Sequence, residues 1–244
     1  MKETKFKYEM HLHSADCSAC GISMPEEYLE IAVQKGYSGM VFTNHFYGGN
    51  TSIDRHIPWQ EFMSYYAESY YRTKQLAKAY DLDVLFGVEE GYGDGKEVLI
   101  YGISPELFVN TPEFRKMTIV QISEFVRSNG GFIAHAHPFR VRDYIRNAHI
   151  EPDHTLFDAV EVYNRLNNSQ ENLNAEKYAK KYNMRMISGG DVHSINGFGK
   201  TSLAFTERAT DEKKLCKMLF EGTYRILVED GLDNMGGSID FGKQ

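Results

Sequence analysis

Short, continuous apolar runs recur along the chain, and most are followed by a stretch with helical spacing. Runs without polar alternation mark strands that are covered on both faces, which favours a parallel sheet wrapped by helices. The runs are Phe6 to Leu12, Gly39 to Thr43, Asp83 to Gly87 and Glu97 to Gly102, then Gly131 to Ala134, Asp158 to Tyr163 and Met184 to Ser188. Ser23-Met-Pro-Glu26 reads as a capping box, with Leu29, Ala32 and Val33 on one helix face and Gly36 as the stop. Trp59 to Tyr80 reads as one long helix, with Phe62, Tyr66, Tyr70 and Ala77 near one stripe. Ile122, Phe125 and Val126 mark another helix, closed by Asn129-Gly130, and Asn172 to Tyr182 and Asp211 to Gly222 are further candidates. This alternation predicts a mainly parallel sheet with right-handed crossovers, closed or nearly closed into an α/β barrel of TIM-barrel type.

Charge and cysteine content narrow the setting. Lys plus Arg number 27 against 34 Asp plus Glu, a formal net charge of -7. Such a chain offers no broad cationic surface for phosphate backbones, so nucleic acid is not an expected partner. No apolar run approaches the length of a membrane span, and the first eight residues lack the apolar segment of a secretory signal. Three cysteines are too few for a disulfide framework, which fits a reducing, cytoplasmic setting. Residues 1–244 read as a single domain whose glycine-rich, polar end, 231–244, is expected to be loosely ordered. Nothing in the sequence indicates an oligomeric state.

Ligand-type side chains sit where these strands end. His11 and His13 close the first run, His45 the second, and Glu89 follows the third. His135 and His137 follow the fifth run, and Asp191 and His193 the seventh. In a barrel of parallel strands all these ends open onto one face, so residues far apart in sequence converge. A His-x-His pair on a strand points both rings to one side, and a neighbouring carboxylate then makes a divalent-metal site. Glu89 has two oxygens and can bridge two ions. Such a cluster lowers the pKa of water to near neutrality and clamps phosphate oxygens. Each piece alone has a bland reading: a packing pair for His-x-His, a solvated strand end for Gly-x-Glu, a helix cap for Asp-x-His. Their coincidence at successive strand ends points to metal.

The motifs Met10-His-Leu-His-Ser14, Thr43-Asn-His45, Gly87-Val-Glu89, His137-Pro-Phe-Arg140 and Gly190-Asp-Val-His193, in this order, resemble the polymerase and histidinol phosphatase (PHP) superfamily of metal-dependent phosphoesterases. The resemblance covers nearly the whole chain, with Ala204 to Arg225 similar to the family's closing strand and helix. It implies a distorted (β/α)7 barrel holding two or three divalent ions (Zn, Mn or Fe). It also implies metal-ligand roles for His11, His13, His45, Glu89, His137, Asp191 and His193. The chain departs from the family pattern in three places. Asn44 stands where an Asp is frequent. Asp16-Cys-Ser-Ala-Cys20 stands where fuller versions carry a third His, leaving Asp16, Cys17 and Cys20 as candidates. Tyr101-Gly-Ile103, after the fourth run, lacks a further His.

Several other residues carry two readings. Cys17-x-x-Cys20 resembles a redox or zinc pair, but no second Cys pair exists to complete a structural zinc site. Arg140 is a phosphate clamp or a salt-bridge residue; Arg165 and Lys200 are weaker phosphate candidates. His135 is open between ligand, ligand-supporting donor and proton shuttle. His56, His149 and His154 read as solvated, and Tyr65-Tyr66 and Tyr70-Tyr71 as helix packing rather than a base-stacking platform. The combined expectation is a phosphatase acting on a small phosphomonoester, histidinol phosphate or a nucleotide-like ester by resemblance. Asp191, His193 and Arg140 are its expected catalytic residues. The rival is a non-catalytic binding or regulatory module on the same fold.

Overall fold

The computed structural model describes residues 4–228; the tail expected at 231–244 lies outside them. Among the described residues nine strands form one sheet. They are β1 (Phe6–Leu12), β2 (Gly39–Phe42), β3 (Asp83–Gly93), β4 (Lys96–Tyr101), β5 (Phe132–His135), β6 (Ala159–Asn164), β7 (Arg185–Gly189), β8 (Thr201–Phe205) and β9 (Tyr224–Val228). Their order is β7-β6-β5-β4-β3-β2-β1-β8-β9. The sheet curls until residues just beyond β7 meet the end of β1. Val192 N donates to His11 O at 3.0 Å, and His13 N donates to Val192 O at 2.8 Å. The result is a distorted, nearly closed barrel of mixed α/β type.

The seven expected strands are present, but the sheet is less parallel than expected. β1–β2, β2–β3, β5–β6 and β6–β7 are parallel; β3–β4, β4–β5, β1–β8 and β8–β9 are antiparallel. The cause is local. β3 continues past Gly87 to Gly93, and only Asp94 and Gly95 separate it from β4. Both have positive φ, 54° and 72°. Asp-Gly with two left-handed residues is a tight hairpin turn, and no parallel crossover fits in two residues. β4 therefore enters the sheet from the opposite end. Its first residues, not Tyr101, lie on the face where the neighbouring parallel strands end.

Among the described residues six α-helices pack outside the sheet: α1 (Glu27–Gln34), α2 (Trp59–Ala77), α3 (Pro105–Val109), α4 (Ile119–Ser128), α5 (Ser169–Lys181) and α6 (Glu212–Glu221). α2 carries the expected apolar stripe, and a 3-10 turn extends it to Tyr80. Tyr66 and Tyr70 are buried on it, whereas Tyr65 and Tyr71 face solvent. Asp211 caps α6 by accepting from Lys214 N at 2.8 Å, and Gly222 ends it at φ 64°. The expected Ser23–Glu26 capping box does not form. The Glu26 carboxylate is drawn to Arg72, and Ser23 Oγ instead accepts from Ile195 N at 3.2 Å. Phe46, Phe62, Phe86, Phe108 and Phe114, with Trp59 beside them, pack α2 and α3 against β3. That layer gives the strand ends above it a rigid base.

Candidate metal centre

Strand alternation places His11 and His13 on one side of β1 and its extension, with Leu12 turned into the core between them. Glu89, on β3 and one strand removed from β1, reaches both. Its Oε1 lies 3.1 Å from His11 Nε2 and 3.1 Å from His137 Nε2. Its Oε2 lies 3.3 Å from His13 Nε2 and 3.0 Å from His45 Nδ1. Four imidazoles thus converge on one carboxylate, two at each oxygen. Asp191 Oδ1 is 3.3 Å from His13 Nε2 and 3.6 Å from His11 Nε2. His193 joins through ring stacking on His13, with centroids 4.4 Å apart. The seven side chains implied as ligands therefore meet in one cluster, buried except for the partly exposed His193.

Glu97 belongs to the same cluster, although the positions of the strand ends do not select it. Its Oε1 lies 3.2 Å from His45 Nδ1 and its Oε2 3.5 Å from His137 Nε2. Glu97 occupies the second position of β4, on the face that strand reversal brings to the site. The Asp94-Gly95 turn is the sequence signal that points to it.

The donor set fits divalent ions. His11 Nε2, His13 Nε2 and His45 Nδ1 are buried and lack a hydrogen-bond partner in the protein, although carboxylate oxygens surround them. Four groups of three ligand atoms each gather within 4.8 Å: His11–His13–Glu89, His11–His137–Asp191, His45–Glu89–Glu97 and His13–His45–His193. Orphaned imidazole nitrogens interleaved with carboxylate oxygens are what a cation of this class requires.

The electrostatics show the same need for positive charge. Burial and the neighbouring Glu97 push the Glu89 carboxyl up to about 7, against the pull of His11 and His45. Burial alone would raise Asp191, but His11, His13 and Arg140 outweigh it and hold its carboxyl well below the usual range. Burial lowers His13 and His137 well below an ordinary imidazole. His11 and His45 move up, because carboxylates led by Glu89 overcome burial.

A surrounding layer fixes the ligands. His11 Nδ1 meets Glu161 Oε1 at 2.9 Å, which directs Nε2 at the cluster. Glu161 Oε2 also accepts from His137 N and Asn164 Nδ2, both at 2.9 Å. Glu9 Oε1 accepts from His11 N at 3.0 Å and Gly190 N at 2.7 Å, tying β1 to the segment that carries Asp191. A Cβ on Gly189 would stand 2.4 Å from His11 Cβ, so only glycine permits this approach. His137 and Asp191 have φ of 29° and 47°, strained values for non-glycine residues and frequent at functional sites.

The departures from the family pattern now have places. Asn44 Oδ1 accepts from Ser14 N at 2.6 Å and Ser18 Oγ at 3.0 Å, so it clamps the 14–18 loop. Ser18 Oγ in turn meets His13 Nδ1 at 3.1 Å. Asp16 pairs with Arg72, and Cys17 is buried against Tyr66 O. Cys20 is the one of the three that reaches the cluster, with Sγ 3.1 Å from His193 Nε2. Burial raises its thiol, but His193 and His45 prevail and bring it down to about 6.

Arg140 is buried beside Asp191. Its Nη2 donates to Asp191 Oδ2 at 2.6 Å and Asn164 Oδ1 at 2.7 Å, and its Nε to Asn167 Oδ1 at 2.8 Å. His135 does not join the cluster. β5 ends at that residue and the chain turns before His137, so the two rings do not share a side. The His135 ring stacks on Phe157 with centroids 4.4 Å apart, and its Nε2 meets Tyr92 OH at 2.9 Å. Burial lowers its pKa from 6.5 to about 3. The unfolded chain takes up this proton below 6.5 and the folded chain does not, so stability falls as pH drops from 6.5 toward 3. Replacing His135 with Gln should remove that component. Between pH 6.5 and 5, denaturant unfolding should show the variant losing about 1–2 kcal/mol less than wild type. Equal losses would mean that His135 titrates normally in the folded chain.

No family model matches the chain, and no curated protein does. Solved structures do. A two-domain Bacteroides vulgatus protein containing a "predicted PHP-like metal-dependent phosphoesterase" superposes with a TM-score of 0.62 at 14% identity. The match covers 91% of this chain and 64% of that one, so this chain spans under two thirds of that protein. A Bifidobacterium adolescentis protein, described as a candidate metal-dependent phosphoesterase, gives 0.52 at 16% identity over 87% of this chain and 95% of that one. PsfC from Pseudomonas syringae gives 0.53 at 13% identity over 82% and 81%. In fold, this chain is similar to a protein described as containing a PHP-like metal-dependent phosphoesterase and to another described as a metal-dependent phosphoesterase.

Proposed function

We propose that the protein is a metal-dependent phosphoesterase of the PHP superfamily acting on a small phosphomonoester, with histidinol phosphate and nucleotide-like esters as first candidates. The observation that carries this reading is the convergence of four imidazoles on Glu89 with buried ring nitrogens left unpartnered. His11, His13 and Glu89, with Asp191 beside them, would hold one divalent ion, and His45 with Glu89 and Glu97 a second. Ions there would lower the pKa of water and neutralise charge on phosphoryl oxygens. Asp191, held ionised by Arg140, presents Oδ1 to the cluster as the acceptor for the proton of the attacking water. It is a weak base, sufficient only for water already made acidic. Arg140 engages Asp191 and two Asn side chains through Nε and Nη2, which leaves Nη1 for a phosphoryl oxygen.

The test is release of inorganic phosphate by protein loaded with Mn²⁺, Zn²⁺ or Fe²⁺, over an aryl phosphate, histidinol phosphate and nucleoside monophosphates. Metal-dependent turnover of at least one ester is expected. A metal-loaded protein that binds such esters without hydrolysing them would replace this reading with that of a binding module.

A further inference from the structure

The buried cluster is charged, but the segments that frame it leave apolar side chains in solvent. Ile22, Val141, Tyr144, Leu166 and Ile195 are all exposed. Ile22 N donates to His193 O at 2.7 Å, and Ile195 follows His193 by two residues. Val141 adjoins Arg140, and Leu166 O accepts from Arg142 Nη2 at 2.8 Å. An isolated exposed apolar residue is ordinary, whereas several on the segments around one polar centre mark a binding surface. We infer that Tyr144 is a specificity-determining residue of this site, and that its ring stacks on a planar aromatic group in the alcohol portion of the phosphomonoester. This rests on the phosphoesterase reading above and narrows its substrate class.

The first support is a free ring on a fixed base. Tyr144 is 64% exposed, and among the described residues its hydroxyl has no hydrogen-bond partner and its ring no aromatic neighbour. Its backbone, in contrast, is tied on both sides. Ile145 N donates to Arg142 O at 3.0 Å, closing a turn that contains Tyr144. Arg146 N donates to Asp94 O at 2.9 Å, and Asn147 Nδ2 to Asp94 Oδ2 at 3.3 Å. A Cβ on Gly95 would stand 2.7 Å from Tyr144 O, so the turn lies directly on the β3–β4 hairpin. Val141 N and Arg142 Nη1 both donate to the buried Glu171 Oε1 of α5, at 2.8 and 3.1 Å. The hairpin that brings Glu97 into the cluster therefore also sets the place of Tyr144.

The second support is proximity to the charged groups of the site. Burial raises the Tyr144 phenol; Arg140 and Arg142 pull it down, while Glu97 and Asp191 push it up. The hydroxyl thus lies within the field of both carboxylates and of Arg140. With the phosphoryl group held at the cluster and Arg140, the part of the ester left at the rim is its alcohol portion. A tyrosine ring offers that portion a flat face. An aromatic group gains from offset stacking on it, whereas a short aliphatic chain has no ring face to present.

The experiment compares kcat/KM for phenyl phosphate, adenosine 5′-monophosphate and glycerol 3-phosphate in metal-loaded full-length wild type, Tyr144→Phe, Tyr144→Leu and Tyr144→Ala. For at least one aromatic ester, measured relative to glycerol 3-phosphate, Tyr144→Ala should lose roughly 10–100-fold, Tyr144→Phe less than about threefold, and Tyr144→Leu most of what the Ala variant loses. Calorimetric binding of the matching alcohol, phenol or adenosine, should weaken in the same order. Metal content and thermal midpoint should stay at wild-type values, because the side chain is exposed. An equal loss on all three esters, no loss in Tyr144→Ala, full activity in Tyr144→Leu, or hydrolysis of glycerol 3-phosphate alone overturns the stacking role and leaves the phosphoesterase standing. If no ester is hydrolysed, the phosphoesterase reading fails. Binding of the aromatic esters that weakens in Tyr144→Ala would then still uphold the stacking role, and its absence would overturn both.

Discussion

Glu89→Gln should strip the protein of most of its divalent metal and lower any metal-dependent hydrolysis by roughly three orders of magnitude. That corresponds to about 4 kcal/mol of lost transition-state stabilisation. Glu89 is the only group of the cluster whose two oxygens each face two imidazoles. Gln keeps the size but removes the charge, and its amide hydrogens would oppose the cation. His45→Ala removes one terminal donor and should cost less metal. Glu90 is the control. Strand alternation turns it away, and its oxygens accept from Gly48 N at 3.0 and 2.9 Å. Burial pushes its carboxyl up to about 8, so it is mostly protonated at neutral pH. Glu90→Gln therefore changes little charge and should retain wild-type metal content. Equal metal content in wild type and Glu89→Gln, by elemental analysis, would exclude the bridging role.

Arg140→Met should destabilise the fold by about 3–5 kcal/mol, the cost of removing one partner from a buried ion pair. The change removes the Arg140 donors to Asp191 Oδ2, Asn164 Oδ1 and Asn167 Oδ1, and leaves the buried Asp191 Oδ2 only the 3.3 Å bond from Asn164 Nδ2. Because Asp191 is then loosened, metal content should fall with stability. Arg140→Lys keeps the charge but loses the planar fork. It should retain more stability than the Met variant while lowering kcat/KM by roughly one to two orders of magnitude. Urea unfolding and metal analysis of both variants decide the matter. An Arg140→Met protein as stable as wild type would show that the pair with Asp191 contributes nothing net. Full kcat/KM in Arg140→Lys would remove Arg140 from phosphate binding.

Much of this site is legible in the amino-acid sequence because its ligands follow apolar runs directly. His11, His45, Glu89 and Asp191 each stand at or just past a run that can only be a buried strand, so their convergence follows from barrel geometry. Glu97 is not legible by that rule, since the rule presumes parallel strands. The two-residue Asp94-Gly95 turn reverses β4 and brings its start, rather than its end, to the site. Glu161 is hidden for a different reason. It lies inside the run Asp158 to Tyr163 and reads as an interruption of a strand, whereas in the fold it is the buried carboxylate of β6 that orients His11. The choice among Asp16, Cys17 and Cys20 depends on a loop path set by Asn44 and Gly21 through contacts that spacing does not encode. The Ser23–Glu26 capping box fails because a tertiary partner, Arg72, takes the carboxylate that a local motif needs.

The metal content of the full-length chain, purified without chelator and then incubated with Zn²⁺ or Mn²⁺, tests most directly whether this cluster is a metal centre. Elemental analysis after removal of free ions should give about two to three divalent ions per chain, with a rise in thermal midpoint over the chelated protein. Protein that carries no metal above trace, takes up none on incubation and melts at the same temperature with or without chelator would contradict it.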